Sequence, residues 1–296
     1  MTRERGQLRL TDGELWTRGE LERLRARRFG AAAIGRFLAA SQRRSNDTRA
    51  ARRELTRQSR RWLAVGATAW VLPALGRVEP MRRRWRAGLA WWTLTGLMLD
   101  WHLGMFESYD GKPRSLGAAD ALTLARVWLV PVASDAPSWP VCAAAALSDV
   151  LDGRLARRSD PTRAGRDLEG LVDVCFTFAA LRGARRRRLL GRVPAGLEVA
   201  RLSAGTFYAV LVYFAKAQPP SEALVQSARR ATVLRAAGLI IATAGRRRAG
   251  GTLLGVGSGV SIVLLSLELR RNYGSRQRNH VFSFQTVLRR VPWRST

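Results

Sequence analysis

The chain has 296 residues, which is enough for one sizeable domain with appendages. Its formal net charge of +29 at pH 7 comes almost entirely from arginine, which favours an anionic partner such as a nucleic acid or the anionic face of a membrane. The two cysteines both lie inside apolar runs, a placement that argues against a disulfide framework and against a zinc site. Residues 1–28 are polar and charged, so we expect no signal peptide.

The first predicted element is a basic, partly amphipathic helical segment over residues 1–61. Within it, residues 14–40 place apolar side chains at helical spacing among arginines. Such a helix either lies on an anionic membrane surface or packs on the main domain, and the sequence leaves both interpretations open. Residues 41–61 are polar and either helical or irregular.

Residues 62–118 are predicted to form an apolar hairpin of two segments followed by a linker. The first segment, 62–76, contains a proline and is shorter than the roughly 20 residues that a membrane span needs. The second, 87–106, is long enough, and its tryptophans are typical of the membrane interface. These tryptophans are Trp91, Trp92 and Trp101. Residues 107–120 are rich in turn-forming residues, and we place the domain boundary there.

The rest of the chain is dominated by six apolar blocks. They cover residues 121–134, 137–151, 168–181, 194–217, 231–245 and 252–269. The pattern predicts an all-α fold, a polytopic integral membrane helical bundle with a six-helix core and an N-terminal extension. The membrane domain is placed at 119–270, and a basic tail follows at 271–296.

Four carboxylates stand at the ends of the second and third blocks. Asp149 and Asp152 are three residues apart, and Glu169 and Asp173 are four apart, so each pair lies on one face of a helix. Carboxylates at the ends of membrane segments are costly, and four of them together repel one another unless a cation lies between them. Hard oxygen ligands suit Mg²⁺ or Mn²⁺, which commonly bind a substrate phosphate as well. The alternative is that the four carboxylates cap helices and balance the charge of an arginine-rich loop.

The stretch from 149 to 173 resembles the signature of the CDP-alcohol phosphatidyltransferase family, D-x-x-D-G-x-x-A-R followed after a linker by G-x-x-x-D-x-x-x-D. The matching residues are Asp149, Asp152, Gly153, Ala156, Arg157, Gly165 and Asp173. Two features depart from the signature: the third acidic position is Glu169, and the linker between Arg157 and Gly165 holds seven residues, one fewer than usual.

A second resemblance to the same family lies upstream, at 121–131. This stretch is similar to the L-T-x-x-R-x-x-x-x-P pattern of the family's first core helix. The matching residues are Leu122, Thr123, Arg126 and Pro131. Together the two resemblances cover about residues 119–270 and leave 1–118 outside.

The resemblance implies a membrane transferase of phospholipid biosynthesis. Such an enzyme moves a phosphatidyl group from a CDP-linked lipid, such as CDP-diacylglycerol, to an alcohol acceptor and releases CMP. The implied metal ligands are Asp149, Asp152, Glu169 and Asp173, with Asp173 also the candidate general base.

The implied nucleotide and pyrophosphate site is formed by small and basic residues of the same motifs. Its members are Gly153, Ala156, Arg157, Gly165, Thr123 and Arg126. For Arg126 the alternative is a side chain that extends to the membrane interface. Arg201, with Glu198, is a further candidate for the acceptor side, where an arginine pocket suits a phosphorylated alcohol.

Partners and location follow from the same resemblance. We expect a multi-pass protein of the cell membrane, namely a bacterial plasma membrane. We also expect it to contact anionic lipids and to form a homodimer. The arginine-rich segments 182–192 and 246–249 fall outside if the motif faces the cytoplasm, so charge does not fix the orientation.

Two other functions compete with the transferase. The Glu169 substitution and the shorter linker favour a catalytically impaired relative that acts as a membrane binding or scaffold protein. A nucleic-acid binder would need exposed aromatic side chains among its basic residues. Most aromatic residues of this chain lie instead in apolar segments, and we therefore expect no nucleic-acid partner.

Overall fold

The computed structural model describes residues 11–108, 111–158, 162–211 and 222–274. In this part of the chain, ten α-helices and one short 3-10 turn follow one another. In chain order the helices are α1 (Asp12–Ala26), α2 (Ala31–Ala51), α3 (Arg53–Leu75), α4 (Met81–Trp101), α5 (Ala118–Asp135), α6 (Trp139–Arg158), α7 (Arg163–Arg186), α8 (Arg192–Leu211), α9 (Glu222–Thr243) and α10 (Arg247–Gly274), with the 3-10 turn at Leu103–Met105. The six apolar blocks correspond to α5–α10, which confirms the predicted all-α fold with a six-helix core.

The basic N-terminal segment forms two helices where the periodicity predicted one. The chain leaves α1 at Ala26 and turns through Arg28 and Phe29, whose φ angles of 48° and 55° lie in the left-handed region that ends a helix. On α1, Leu21 and Leu24 are buried. Phe29, Ile34 and Leu38 are exposed, so the structure shows packing for part of this stretch and leaves both interpretations open.

Helices α3 and α4 pack through two tryptophan rings that lie against glycines. A Cβ at Gly66 would lie 2.0 Å from the Trp92 ring, and one at Gly88 would lie 1.8 Å from the Trp70 ring. Trp92 is buried, and its Nε1 donates to the carbonyl oxygen of Leu63 at 2.7 Å. The Trp92 ring therefore fills a space between the two helices, and its place at a membrane interface stays a prediction.

The residues cluster by contact into two compact units. The first consists of Met1–Ala136 and Ala144–Ala179, and the second of Pro137–Ala143 and Ala180–Thr296. In the first unit, side chains of the N-terminal extension and of the six-helix core share one hydrophobic cluster. Among its members are Leu55, Leu99, Phe106, Leu124 and Val172. Residues on both sides of 118 belong to this unit, and α3 extends from Arg53 to Leu75; the domain boundaries at 61 and near 118 stay predictions.

In the second unit, α9 and α10 approach each other closely. Gly245, with a φ of +93°, lies in the turn between them. A Cβ at Gly250 would lie only 2.3 Å from the backbone nitrogen of Ala242, and one at Gly238 would lie 2.5 Å from that of Leu254. The glycines therefore permit backbone contact between the two helices, as in helix pairs within lipid.

One helix in the described part of the chain has the length and composition of a membrane span. It comprises 24 residues of α10, Arg247–Arg270. At 1.5 Å per residue its length is about 36 Å, against about 30 Å for the hydrocarbon core of a bilayer. Several of its large apolar side chains are exposed, as expected for a helix face in contact with lipid. They are Val256, Val260, Val263 and Leu267.

Candidate active site

Helices α6 and α7 bring three of the predicted carboxylates together. One oxygen from each of Asp149, Asp152 and Glu169 lies within 4.8 Å of the others. The spacing of the motif explains this arrangement, since each pair of acids shares one face of its helix. Asp152 is buried with 5% of its side chain exposed, whereas Asp149 is 38% exposed. Three oxygen ligands so close together can hold a divalent cation.

Helix α5 places a guanidinium among these acids. The side chain of Arg126 is 2% exposed, and its Nη1 lies 2.5 Å from Asp149 Oδ1 and 3.1 Å from Asp173 Oδ1. Its Nη2 donates to Asp152 Oδ2. The buried ion pairs exclude a side chain that extends to the interface. Among the described side chains, four carboxylates then surround one guanidinium, which leaves negative charge in excess there.

Thr123, one turn before Arg126 on α5, also contacts Asp152. Its hydroxyl donates to Asp152 Oδ2 at 3.3 Å. Asp152 Oδ1, by contrast, is buried and has no hydrogen-bond partner among the described residues. A buried carboxylate oxygen without a partner is unfavourable unless a ligand satisfies it. The residues present therefore fit a cation, which would take the oxygen that the protein leaves unbonded.

Asp173 occupies a different position from the other three acids. It follows Glu169 by one turn of α7, pairs with Arg126, and is 46% exposed. It is not a member of the close cluster formed by Asp149, Asp152 and Glu169. The site thus contains three converging carboxylates and a fourth, more accessible one held by an arginine.

Gly165 provides the space for a buried carboxylate that the sequence analysis missed. A Cβ at Gly165 would lie 1.8 Å from Asp120 Oδ1. Asp120 accepts hydrogen bonds from the Gly117 backbone nitrogen at 2.8 Å and from Thr162 Oγ1 at 2.9 Å. Thr162 in turn accepts from the Gly165 nitrogen at 3.0 Å and so caps α7. The sequence signal that could have identified Asp120 and Thr162 is their position at the start of a helix, where such side chains cap backbone nitrogens.

The remaining predicted residues of the motif are described only in part. Gly153 is half-buried in α6, directly after Asp152. The side chains of Ala156 and Arg157 lie outside the described residues. For these three positions, and for Gly165, contact with a nucleotide remains a prediction.

The second unit contains another polar cluster, built around the predicted Glu198–Arg201 pair. Glu198 is buried, and its Oε1 lies 2.8 Å from Arg201 Nη2 and 3.6 Å from Arg235 Nε. Its Oε2 accepts from Ser258 Oγ at 2.6 Å. Arg235 was missed because nothing in the sequence around it differs from the many other arginines. Two guanidiniums thus face one carboxylate.

The sequence profile of the CDP-alcohol phosphatidyltransferase family matches residues 116–265. This match covers half of the chain and includes every member of the acidic cluster and Arg126. The chain therefore belongs to the CDP-alcohol phosphatidyltransferase family, a family of integral membrane proteins that transfer a phosphatidyl group from a CDP-linked alcohol and generally use a divalent metal. Neither the curated proteins nor the solved structures gave a match.

Proposed function

We propose that this protein transfers a phosphatidyl, or substituted phosphate, group from a CDP-linked lipid such as CDP-diacylglycerol to an alcohol acceptor, with release of CMP, in phospholipid biosynthesis. The observation that carries the proposal is the convergence of Asp149, Asp152 and Glu169 around a buried Arg126, inside the region that matches the family. A pyrophosphate carries clustered negative charge, so a carboxylate site can bind it only together with cations.

Mg²⁺ or Mn²⁺ would be held by Asp149, Asp152 and Glu169, with Asp173 beside them. When bound, the metal would neutralise the pyrophosphate and the charge that develops on the leaving CMP. Arg126 holds the carboxylates together through its ion pairs and offsets part of their repulsion. Thr123, one turn earlier on α5, orients Asp152 by a hydrogen bond from its hydroxyl.

Asp173 is the proposed general base. In the reaction, the acceptor hydroxyl oxygen bonds to the phosphorus that carries the lipid, and the bond from that phosphorus to the CMP oxygen breaks with its electron pair on CMP. The hydroxyl proton passes to Asp173. The exposed fraction of its side chain leaves it accessible to an acceptor, and the Arg126 ion pair orients it. Base catalysis of this kind typically contributes about 10²–10⁴-fold in rate.

The donor nucleotide would lie against the small and basic residues of the motif. Gly153, Ala156 and Gly165 leave room, and Arg157 provides a charge for phosphate. Thr123 and Arg126, which bond to the acids, would act on the nucleotide through those acids.

For the acceptor we propose a phosphorylated alcohol, because an anionic phosphate suits a chain so rich in arginine. Glycerol phosphate should then support faster CMP release than glycerol. Equal rates with the two acceptors would refute this choice.

The cellular setting is proposed from the family and from the charge. We place the protein in the cell membrane, as a multi-pass and bacterial plasma-membrane protein that forms a homodimer. Its net charge of +29 favours contact with anionic lipids.

The test is CMP release from the full chain purified in detergent. CDP-diacylglycerol, Mg²⁺ or Mn²⁺ and a panel of alcohols are supplied to the wild type and to Asp173→Asn. Asp47→Asn, an exposed position on α2, is the matched control. We expect metal-dependent release that is lost in Asp173→Asn and kept in Asp47→Asn. Folded wild-type protein that releases no CMP with any acceptor would instead favour a catalytically impaired relative that acts as a membrane binding or scaffold protein.

A further inference from the structure

The first residue of α7 is held by side chains from outside the family match. Arg163 begins this helix, six residues before Glu169, and its side chain is 7% exposed. Its Nη1 lies 2.8 Å from Glu107 Oε1, and its Nη2 lies 2.8 Å from Glu14 Oε1. Nη1 also donates to Thr11 Oγ1. All three partners precede residue 116, where the family match begins.

The same contacts also form the start of α1. Thr11 caps α1 in a capping box with Glu14, and its hydroxyl donates to Glu107 Oε1 at 2.7 Å. A Cβ at Gly13 would lie 3.1 Å from this carboxylate oxygen, so a glycine at that position favours the close approach of α1. The cap of the first helix is therefore part of the pocket that receives Arg163.

Glu107 holds the backbone of α7 as well as its side chain. Its carboxylate is 3% exposed, and its carbonyl oxygen accepts from the Arg163 backbone nitrogen at 3.2 Å. The preceding residue, Thr162, is fixed independently by Asp120. Both the rotation and the axial position of α7 are thus defined at its first turn.

A helix transmits such a constraint to the acids that it carries. Glu169 lies about 9 Å along the axis from Arg163, at 1.5 Å per residue, and each residue of slippage would rotate its side chain by about 100°. The cluster of carboxylate oxygens spans only 4.8 Å, so a small rotation of α7 removes Glu169 from it. Outer contacts that orient metal ligands typically change metal affinity by about 10–100-fold when lost.

We propose that the N-terminal extension is a positioning element of the metal site: Thr11, Glu14 and Glu107 act through Arg163 to hold α7 where Glu169 meets Asp149 and Asp152. The inference rests on the proposed function, in that it takes the acidic cluster to be a metal site. Glu107 is accordingly a positioning residue, and its effect should appear in metal affinity before it appears in turnover.

The test measures Mn²⁺ binding to the full chain by electron paramagnetic resonance, in detergent and without substrate. Glu107→Gln keeps the size of the side chain and removes its charge, and we expect Mn²⁺ binding about tenfold weaker. Glu54→Gln is the matched control, because Glu54 makes an exposed ion pair with Arg57 on α3. In CMP release, Glu107→Gln should raise the metal concentration at half-maximal rate, with kcat at saturating metal within about twofold of the wild type.

A second variant tests the same contacts from the other side. Arg163→Gln removes the guanidinium that pairs with Glu14 and Glu107, and should weaken Mn²⁺ binding at least as much as Glu107→Gln. If Glu107→Gln does not fold, Thr11→Val tests the positioning role in its place, because it removes one hydroxyl and keeps every charge. We expect Thr11→Val to bind Mn²⁺ about threefold more weakly than the wild type.

The outcomes separate this inference from the proposed function. If a folded Glu107→Gln variant binds Mn²⁺ as tightly as the wild type, the positioning role is overturned, even if the thermal midpoint of the variant is lower. Where Glu107→Gln does not fold, the same result in Thr11→Val overturns it. Wild-type protein that binds no Mn²⁺ overturns the metal site and the proposed function with it. Wild-type protein that binds Mn²⁺ but releases no CMP overturns the transferase alone.

Discussion

Replacing Arg126 by methionine removes the only cation that contacts the acidic cluster among the described residues, at nearly constant side-chain volume. The guanidinium pairs with Asp149, Asp152 and Asp173. Loss of one partner of a buried ion pair typically costs about 3–5 kcal/mol, because the other charge stays buried and unpaired. Only Asp152 is fully buried, while Asp149 and Asp173 are partly screened by solvent, so we expect about 3 kcal/mol.

Metal should offset this loss if the cluster binds a cation. In the metal-free variant no described side chain supplies a counter-charge to the three converging carboxylates, whereas bound Mg²⁺ would supply one. We therefore expect Arg126→Met to lower the thermal midpoint in detergent, and added Mg²⁺ to raise that midpoint more in the variant than in the wild type. CMP release should fall at least about a hundredfold, as when a preorganised electrostatic group is removed from a catalytic site.

Two further variants define what Arg126 contributes. Arg126→Lys keeps the charge but loses the planar fork that reaches several carboxylates at once, and it should give intermediate stability and activity. Arg57→Met, which breaks an exposed ion pair on α3, should leave both unchanged. An Arg126→Met protein with the thermal midpoint and CMP release of the wild type would refute the reasoning.

Three other substitutions test the packing and the ligand set. Gly165→Ala places a Cβ 1.8 Å from a carboxylate oxygen and should lower CMP release at least about tenfold, unlike Gly170→Ala, which meets nothing within 4 Å. Gly250→Ala places a Cβ 2.3 Å from a backbone nitrogen of α9 and should destabilise the helix pair by about 1–3 kcal/mol, read as a lower thermal midpoint than in the open Gly259→Ala control. Glu169→Asp withdraws a ligand by about 1.5 Å and should raise the metal concentration at half-maximal rate about tenfold; higher activity than the wild type would show that Glu169 impairs the site.

The sequence predicted the acidic cluster because the information is local. The spacing of Asp149 and Asp152 on one helix, and of Glu169 and Asp173 on the next, fixes a shared face for each pair, and the family signature places the two faces together. The partner of Arg126 was not predictable in this way. Whether Arg126 contacts solvent, a nucleotide or a carboxylate depends on how α5 packs against α6. The periodicity of the sequence gives no information about that packing.

The residues that hold α7 escaped prediction for a related reason. Glu107 lies in a stretch whose composition is that of a linker, yet its carboxylate is buried against Arg163, 56 residues further on. Contacts of such sequence separation leave no local pattern. The burial of Trp92 has the same cause: Gly66, 26 residues earlier, creates the space that the ring fills.

The two carboxylate oxygens of Asp152 have different surroundings, which bears on how the site would bind a metal. Arg126 and Thr123 both bond to Oδ2, and they leave Oδ1 buried without a partner. The guanidinium therefore keeps the acids together before any cation arrives, and a cation bound at Oδ1 would not need to displace it. A bound cation would therefore not replace the contacts that Arg126 makes with Oδ2. For this reason, added Mg²⁺ should restore only part of the thermal midpoint that Arg126→Met loses.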